Sequence, residues 1–227
     1  MEEDPWLAER LGCAAWWVPP HTPAGELREH AAAHAPAFYQ AKVDARDVAA
    51  VRELSAAGMT VVDLNLTLSR APDPSLAPPA GVGEAAPADA ADLLEIATRH
   101  YDVSRFHMDP EIPAEAAARI KRDWVRAYLD GERGNRLLVA ERDGRAAGFL
   151  AELADDERRV IDLIAVRADA RGAGLGRALV TEVLRSSPGR VDVGTQAANA
   201  GALRFYESLG FRAAHDRYVL HLHARAA

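Results

Sequence analysis

Cysteine is almost missing from this chain: Cys13 stands alone among 227 residues. No intrachain disulfide can form, and a reducing compartment, the cytoplasm, is expected. Basic excess is also missing. Lys and Arg number 27 against 34 Asp and Glu, a formal charge of −7, which argues against nucleic acid as a partner. No apolar run approaches the roughly 18 residues that mark a candidate membrane span, so none is expected. The start, Met1-Glu2-Glu3-Asp4-Pro5, is acidic and lacks the apolar stretch of a signal peptide. Two phosphate-binding fingerprints fail as well. From Gly172 and Gly174, the third glycine of G-x-G-x-x-G would fall at position 177, which is Arg177, and no Gly-Lys-Ser/Thr follows to make a Walker loop. What remains is an ordinary globular composition, 49% hydrophobic and 27% charged, able to build a core.

The most informative stretch is the aliphatic run Val160 to Val166 followed by Arg171-Gly172-Ala173-Gly174-Leu175-Gly176-Arg177. It reads as a buried strand, a short turn and a glycine-rich loop opening a helix. Such a loop presents bare N–H groups at the positive end of a helix dipole, an anion site whose glycines let phosphate oxygens approach the backbone. Arg171 and Arg177 would add charge. Downstream come Thr195-Gln196-Ala197-Ala198-Asn199, then Ala202-Leu203-Arg204-Phe205-Tyr206 and Leu209-Gly210-Phe211. Asn199 suits a helix N-cap and Gly210 a helix end.

The organisation along the chain follows from pattern. Residues 70–87 are rich in Pro, Gly and Ala and read as a linker between an N-terminal α/β domain, 1–69, and a second domain, 88–227. In the first, Phe38 to Val43 reads as a strand, Asp47 caps a helix through Ala57, and Thr60 to Leu68 is a second strand. There Asp63, Asn65 and Thr67 alternate with leucines, so one face is expected to be solvated. Aligning Gly58 with Gly210 brings Asp47 onto Asn199 and Val51 onto Leu203, a degenerate repeat of strand, capped helix, Gly, strand. The first copy has no glycine loop, which makes it structural or substrate-facing. In the second domain, a helix starts at Asp89, residues 101–110 form a loop, and a helix runs from Pro113 to Leu129 with Ala116, Ile120, Trp124 and Tyr128 on one face. A hairpin turns at Asp143-Gly144. Tyr218 to Leu222 closes the sheet, and its exposed edge would permit a homodimer.

The glycine loop followed by the Asn199 cap and Tyr206 resembles the GNAT acetyltransferase superfamily over roughly residues 88 to 222. The resemblance implies an α/β fold with a mixed, mostly antiparallel sheet flanked by helices, the N-terminal part reading as a degenerate GNAT-like half. It implies acetyl transfer from acetyl-CoA to an amine, with no metal. The pyrophosphate would sit on Gly172, Ala173, Gly174, Leu175 and Gly176 with Arg171 and Arg177, and the pantetheine arm along the backbone of Ile164, Ala165 and Val166. Asn199 would cap its helix or bond the arm, and Tyr206 would protonate the leaving thiolate. Asp162, an isolated carboxylate inside an apolar strand, is the best candidate for a base. Its alternative is an ion pair with an arginine such as Arg145, and His107, Glu152 or a water chain compete for the role. The N-terminal half resembles, in short pieces, a narrower group, the dTDP-fucosamine acetyltransferases. The pieces are Gln40 to Val43, the Gly58 helix end, Ser104-Arg105-Phe106 through Asp109-Pro110, Trp124, and Val193 to Asn199. That group implies a sugar-nucleotide acceptor, with Arg105 on phosphate and Phe106 or Trp124 stacked on base or sugar. A small-molecule amine or antibiotic acetyltransferase and a non-catalytic CoA-binding protein are the rival readings.

Overall fold

The computed structural model describes every residue except Asp102, Asp156 and Ala227. Asp102 falls inside the expected 101–110 loop and lies outside the described residues. One ten-stranded sheet runs through the chain. Its strands are β1 (Glu2–Glu3), β2 (Ala14–Trp17), β3 (Ala37–Asp44), β4 (Thr60–Arg70), β5 (Val82–Glu84), β6 (Arg136–Arg142), β7 (Arg145–Ala154), β8 (Arg158–Val166), β9 (Arg190–Gln196) and β10 (Arg212–Ala224). Their order across the sheet is β1-β2-β3-β10-β4-β9-β8-β7-β6-β5.

This order corrects the two-domain reading. β10, from the C-terminal end, lies between β3 and β4, and β4 lies between β10 and β9. The sheet is therefore continuous across the 70–87 segment, and that segment itself contributes β5 to the far edge by pairing with β6. The expected exposed edge near Tyr218 does not exist, because both sides of β10 are paired. The edge argument for a homodimer falls with it.

The repeat is written into the sheet register. Asp47 and Asn199 cap α3 (Val48–Ala56) and α8 (Ala200–Ser208), accepting from the backbone N–H of Ala50 and Ala202, each at 3.0 Å. With Asp47 laid on Asn199, Gly58 (φ 102°) maps onto Gly210 (φ 84°), both in the left-handed region that stops a helix. The pair Tyr218↔Val43 maps onto Leu66↔Thr195, and Asp216↔Leu66 onto Tyr218↔Leu64. Even the irregularities correspond: β4 carries an extra residue at Val62 and β10 at Ala214. The two strand–helix–strand units thus interleave about a pseudo-two-fold axis through Asn65↔Arg217.

Helices cover both faces. α7 (Leu175–Ser186) and α8 bury Leu179, Val180, Val183, Tyr206 and Leu209 against Ile161, Val191, Val193 and Phe211. On the other face α4 (Ala90–Arg99) and α6 (Ala114–Leu129) bury Leu93, Ile96, Val125 and Tyr128 against Phe149, Leu163 and Ala165. Pro113 stands at the N-cap of α6, as its fixed φ allows. A short helix, α5 (Arg105–Met108), capped by Ser104, interrupts the expected loop. The hairpin turn has φ 55° at Asp143 and 73° at Gly144, which suits the right-handed twist of β6 and β7.

Candidate active site

The site begins where two parallel strands part. β8 and β9 pair from Arg158↔Arg190 to Ile161↔Val193 and no further. Beyond that point β8 stays paired with β7 through Leu150↔Ile164, Phe149↔Ala165 and Gly148↔Val166. The β9-facing backbone edge of Ile164, Ala165 and Val166 is left without a ladder. The parting coincides with a bulge: Ala151 pairs Leu163 and Glu152 pairs Ile161, so Asp162 is the extra residue. A bulge re-aims side chains, and here it turns Asp162 toward α6.

At the open end of β8 lies the glycine loop. Gly172 (φ 80°) and Gly174 (φ 83°) adopt a backbone that L side chains resist. Gly174 is the N-cap of α7, so the N–H groups of Leu175, Gly176 and Arg177 have no intrahelical acceptor. A Cβ on Gly176 would meet the Phe205 ring at 3.4 Å. Arg171 and Arg177 are exposed beside the loop; Arg171 Nε donates to the Val166 carbonyl at 3.3 Å and Arg177 to Ser208 Oγ at 3.3 Å. The loop and both arginines meet the requirements of a diphosphate.

Behind the parting lies a cavity of about 790 Å³. Ile164, Asn199, Tyr206, Asp162 and Arg105 all line it, so the expected site residues from β8, α8 and α5 come together. Asn199 spends its side-chain oxygen on the cap of α8, which leaves only its amide NH2 for a ligand. Tyr206 is 2% exposed, edge-to-face with Phe205 and Phe211. Burial holds its phenol above the ordinary range, and among the described residues nothing bonds its hydroxyl. Tyr101 donates its hydroxyl to the Ile164 carbonyl at 3.0 Å.

Several expectations need correction. Asp162 pairs with Arg133, not Arg145, which binds Asp92. Its Oδ2 accepts from Trp124 Nε1 at 2.9 Å, the Tyr128 hydroxyl at 2.8 Å and Arg133 Nε at 2.9 Å. These three donors tie the bulge of β8 to α6 and to Arg133. Trp124 is not simple core: it lines the cavity, carries Lys121 and Arg133 at 4.8 Å from its ring, and its indole N–H anchors Asp162. Phe106 is 1% exposed and packs with Leu7, Phe38 and Ile120, with the Arg105 guanidinium 4.6 Å over its ring. It supports Arg105 at the edge of the cavity, which it helps to line. Glu152 is fully buried beside Arg159 and Arg136 and does not line the cavity. His107 Nδ1 bonds the Ser104 hydroxyl at 2.7 Å. The polar face of β4 lies against the cavity rather than open solvent: Asp63, which is buried, and Asn65, Thr67 and Ser69, which are half-buried, form one of its walls.

That wall holds the residue the sequence did not disclose. Asp63 is 4% exposed, and neither carboxylate oxygen has a partner in hydrogen-bonding geometry among the described residues. Burial pushes it up to about 6, against the pull of the nearby Gln196 side chain, Arg105 and Lys42. Lys42 on β3 and Lys121 on α6 line the same cavity. The one available signal was Asp63 alternating with leucines. No cluster of His, Cys, Asp and Glu suited to a metal occurs among the described residues, and no helix there is long and apolar enough to cross a membrane.

The strand pair thus parts beside the glycine loop, and Tyr206 lines the cavity behind it. The sequence profile of the Acetyltransferase (GNAT) family matches residues 93–211, more than half of the chain, and the chain belongs to that family. It is 30% identical over 145 residues to the spore coat polysaccharide biosynthesis protein SpsD of Bacillus subtilis, covering 62% of this chain and 50% of SpsD. It is 37% identical over 104 residues to human N-acetylaspartate synthetase, covering 42% of this chain and 34% of that protein. The chain thus spans half or less of the length of these curated relatives. Among solved structures, a Staphylococcus epidermidis protein of unknown function superposes with a TM-score of 0.70 at 12% identity, over 96% of this chain and 88% of that one. A tandem GNAT protein of clavulanic acid biosynthesis superposes at 0.59 with 20% identity, over 90% and 69%. These structures share the fold.

Proposed function

We propose that the protein is an acetyl-CoA-dependent N-acetyltransferase acting on a primary amine, best read as the amino group of a nucleotide-linked amino sugar, by direct transfer in a ternary complex. The observation that carries the reading is the parting of β8 and β9 immediately after Ile161↔Val193, with the glycine loop at its open end and Tyr206 in its wall. The similarity to SpsD, a polysaccharide biosynthesis protein by name, supports the sugar acceptor. The lone Cys13 is consistent with a reducing cytoplasm.

Acetyl-CoA would supply the activated thioester. The first-turn N–H groups of α7, with Arg171 and Arg177, would hold its pyrophosphate, and the unladdered edge of Ile164, Ala165 and Val166, where Tyr101 and Arg171 already bond the carbonyls of Ile164 and Val166, would bond its arm. The Tyr206 hydroxyl, kept protonated by burial, donates to the departing sulfur. Asp162 positions Trp124, Tyr128 and Arg133 around the bulge. The attacking amine must first lose a proton. Asp63, unpartnered in the same cavity and titrating about 6, is the carboxylate that takes it.

The test is thiol release from acetyl-CoA with dTDP-4-amino-4,6-dideoxyhexoses, polyamines and aminoglycosides, for the wild type and Tyr206→Phe. Turnover confined to sugar nucleotides, lost by about 10²-fold in Tyr206→Phe with unchanged acetyl-CoA affinity, is expected. Turnover on another amine alone discards the sugar reading. Equal rates for the two proteins remove Tyr206 from the chemistry.

A further inference from the structure

Six Lys and Arg side chains line the cavity, and three of them come from separate elements: Lys42 from β3, Arg105 from α5 and Lys121 from α6. Among the described residues none of these three has a carboxylate within 4 Å; elsewhere in the cavity wall Arg158 and Arg190 pair with Asp155 and Asp192, and the exposed Arg217 on β10 bonds His215. Arg105 Nε is buried without a hydrogen-bond partner. Its guanidinium lies over the rings of Phe106 and Trp17, at 4.6 and 5.6 Å. Lys121 is only 8% exposed, its ammonium 5.0 Å from the Tyr101 ring and 4.8 Å from that of Trp124. Aromatic faces compensate a cation far less than a counter-ion does.

The nearby acids do not balance this charge. Asp162 is taken by Arg133. Asp4 caps α1 (Pro5–Leu11) and accepts from Gln40. Counting both Asp4 and Asp63 against the three cations still leaves one positive charge over. The mutual repulsion is felt: burial and then Arg105 bring Lys121 down to about 7, and burial, Arg105 and Arg217 bring Lys42 down to about 8. Half-buried and buried cations without counter-ions are costly, and a cavity that collects Lys42, Arg105 and Lys121 is built for an anion.

We propose that Lys42, Arg105 and Lys121 form a subsite for an acidic group of the acceptor, so that the substrate is a primary amine carrying a carboxylate or a phosphate. The inference rests on the acetyltransferase reading and narrows its substrate class. Two sources share this chemistry: the diphosphate of a sugar nucleotide and the carboxylate of an amino acid. The name of one relative, N-acetylaspartate synthetase, keeps the second source in view.

Matched acceptors separate the possibilities. L-Aspartate is compared with its neutral diamide, and a dTDP-4-amino-4,6-dideoxyhexose with the free amino sugar, by thiol release and by calorimetric binding to the protein saturated with CoA. The variants are Arg105→Gln and Lys121→Gln, with Lys42→Gln replacing either that does not fold. The acid-bearing member of one pair should be preferred at least tenfold in kcat/KM. Each variant should raise KM for that member about 10- to 100-fold while leaving kcat within threefold and acetyl-CoA affinity unchanged. The pair that responds identifies carboxylate or phosphate. Equal use of acid-bearing and neutral amines, or indifference to all three substitutions, overturns the subsite while the transferase reading stands. Arg105-dependent binding of an acidic amine with no thiol release sinks the transferase reading and keeps the subsite. Neither binding nor turnover by any amine removes both.

Discussion

Replacing Asp63 with Asn should stabilise the protein, and only above a defined pH. The Asp63 carboxylate is 4% exposed with both oxygens unpartnered, and burial raises it from 3.8 to about 6. One pH unit of displacement is worth 1.36 kcal/mol, so the ionised carboxylate costs about 3 kcal/mol. A carboxyl whose folded value is raised binds its proton more tightly in the folded state. The cost is therefore absent below about 3.8, grows as pH climbs through the interval to 6, and is complete above it. Asn mimics the protonated acid at every pH. Urea unfolding at pH 8 should show the variant more stable by about 3 kcal/mol, or about 6–12 °C in Tm for a domain of this size. Near pH 4 the gap should shrink to a few tenths of a kcal/mol. The same variant should lose turnover, because the stabilised site has no proton acceptor, an exchange of stability for function. A stability difference that does not vary with pH, or a variant less stable at pH 8, refutes the reasoning.

Other substitutions test neighbouring parts of the account. Gly134 has φ 73°, and a Cβ there would fall 1.9 Å from the Tyr128 ring. Gly134→Ala should cost about 3 kcal/mol or more, roughly the sum of left-handed strain and a displaced core ring, measurable by chemical denaturation. Asp162→Asn keeps an oxygen for its donors and should lower kcat less than about tenfold without moving the pH–rate profile; a loss above 10²-fold would restore Asp162 as the base. Asp109 accepts from His221 Nδ1 at 2.7 Å and His223 Nε2 at 2.9 Å. Although burial opposes it, these bonds hold its carboxyl below the usual range, so its stabilisation is present above 3.8 and fades as pH falls. Asp109→Asn should cost about 2–3 kcal/mol at pH 7, with a smaller loss below pH 3.8 in acid unfolding.

Local signals carried much of the architecture. Asp47, Asn199, Gly58 and Gly210 mark helix ends through capping and left-handed backbone, which are properties of a few adjacent residues, and the repeat they outline recurs in the strand register. The interleaving of β10 between β3 and β4 was not legible, because pairing between opposite ends of the chain leaves no local trace in an alternating strand. The same limit applies to Asp63. A period of two shows that β4 has a polar face but not whether water or a cavity lies against it. Asp162 stood out correctly as an unusual carboxylate in an apolar strand. Its three donors come from Trp124 and Tyr128 on α6 and from Arg133 just beyond it, two strands earlier in the chain, and they change its role. Lys42, Arg105 and Lys121 sit on three elements, and only the folded sheet brings them to one cavity.

The central claim is that the gap between β8 and β9 performs acetyl transfer. Thiol release from acetyl-CoA, followed as a function of primary-amine concentration, tests it most directly. The account predicts release that saturates with an acid-bearing amine and yields the acetylated amine in equal amount. Tight acetyl-CoA binding with no release above the amine-free rate would contradict it and leave a binding protein in the enzyme's fold.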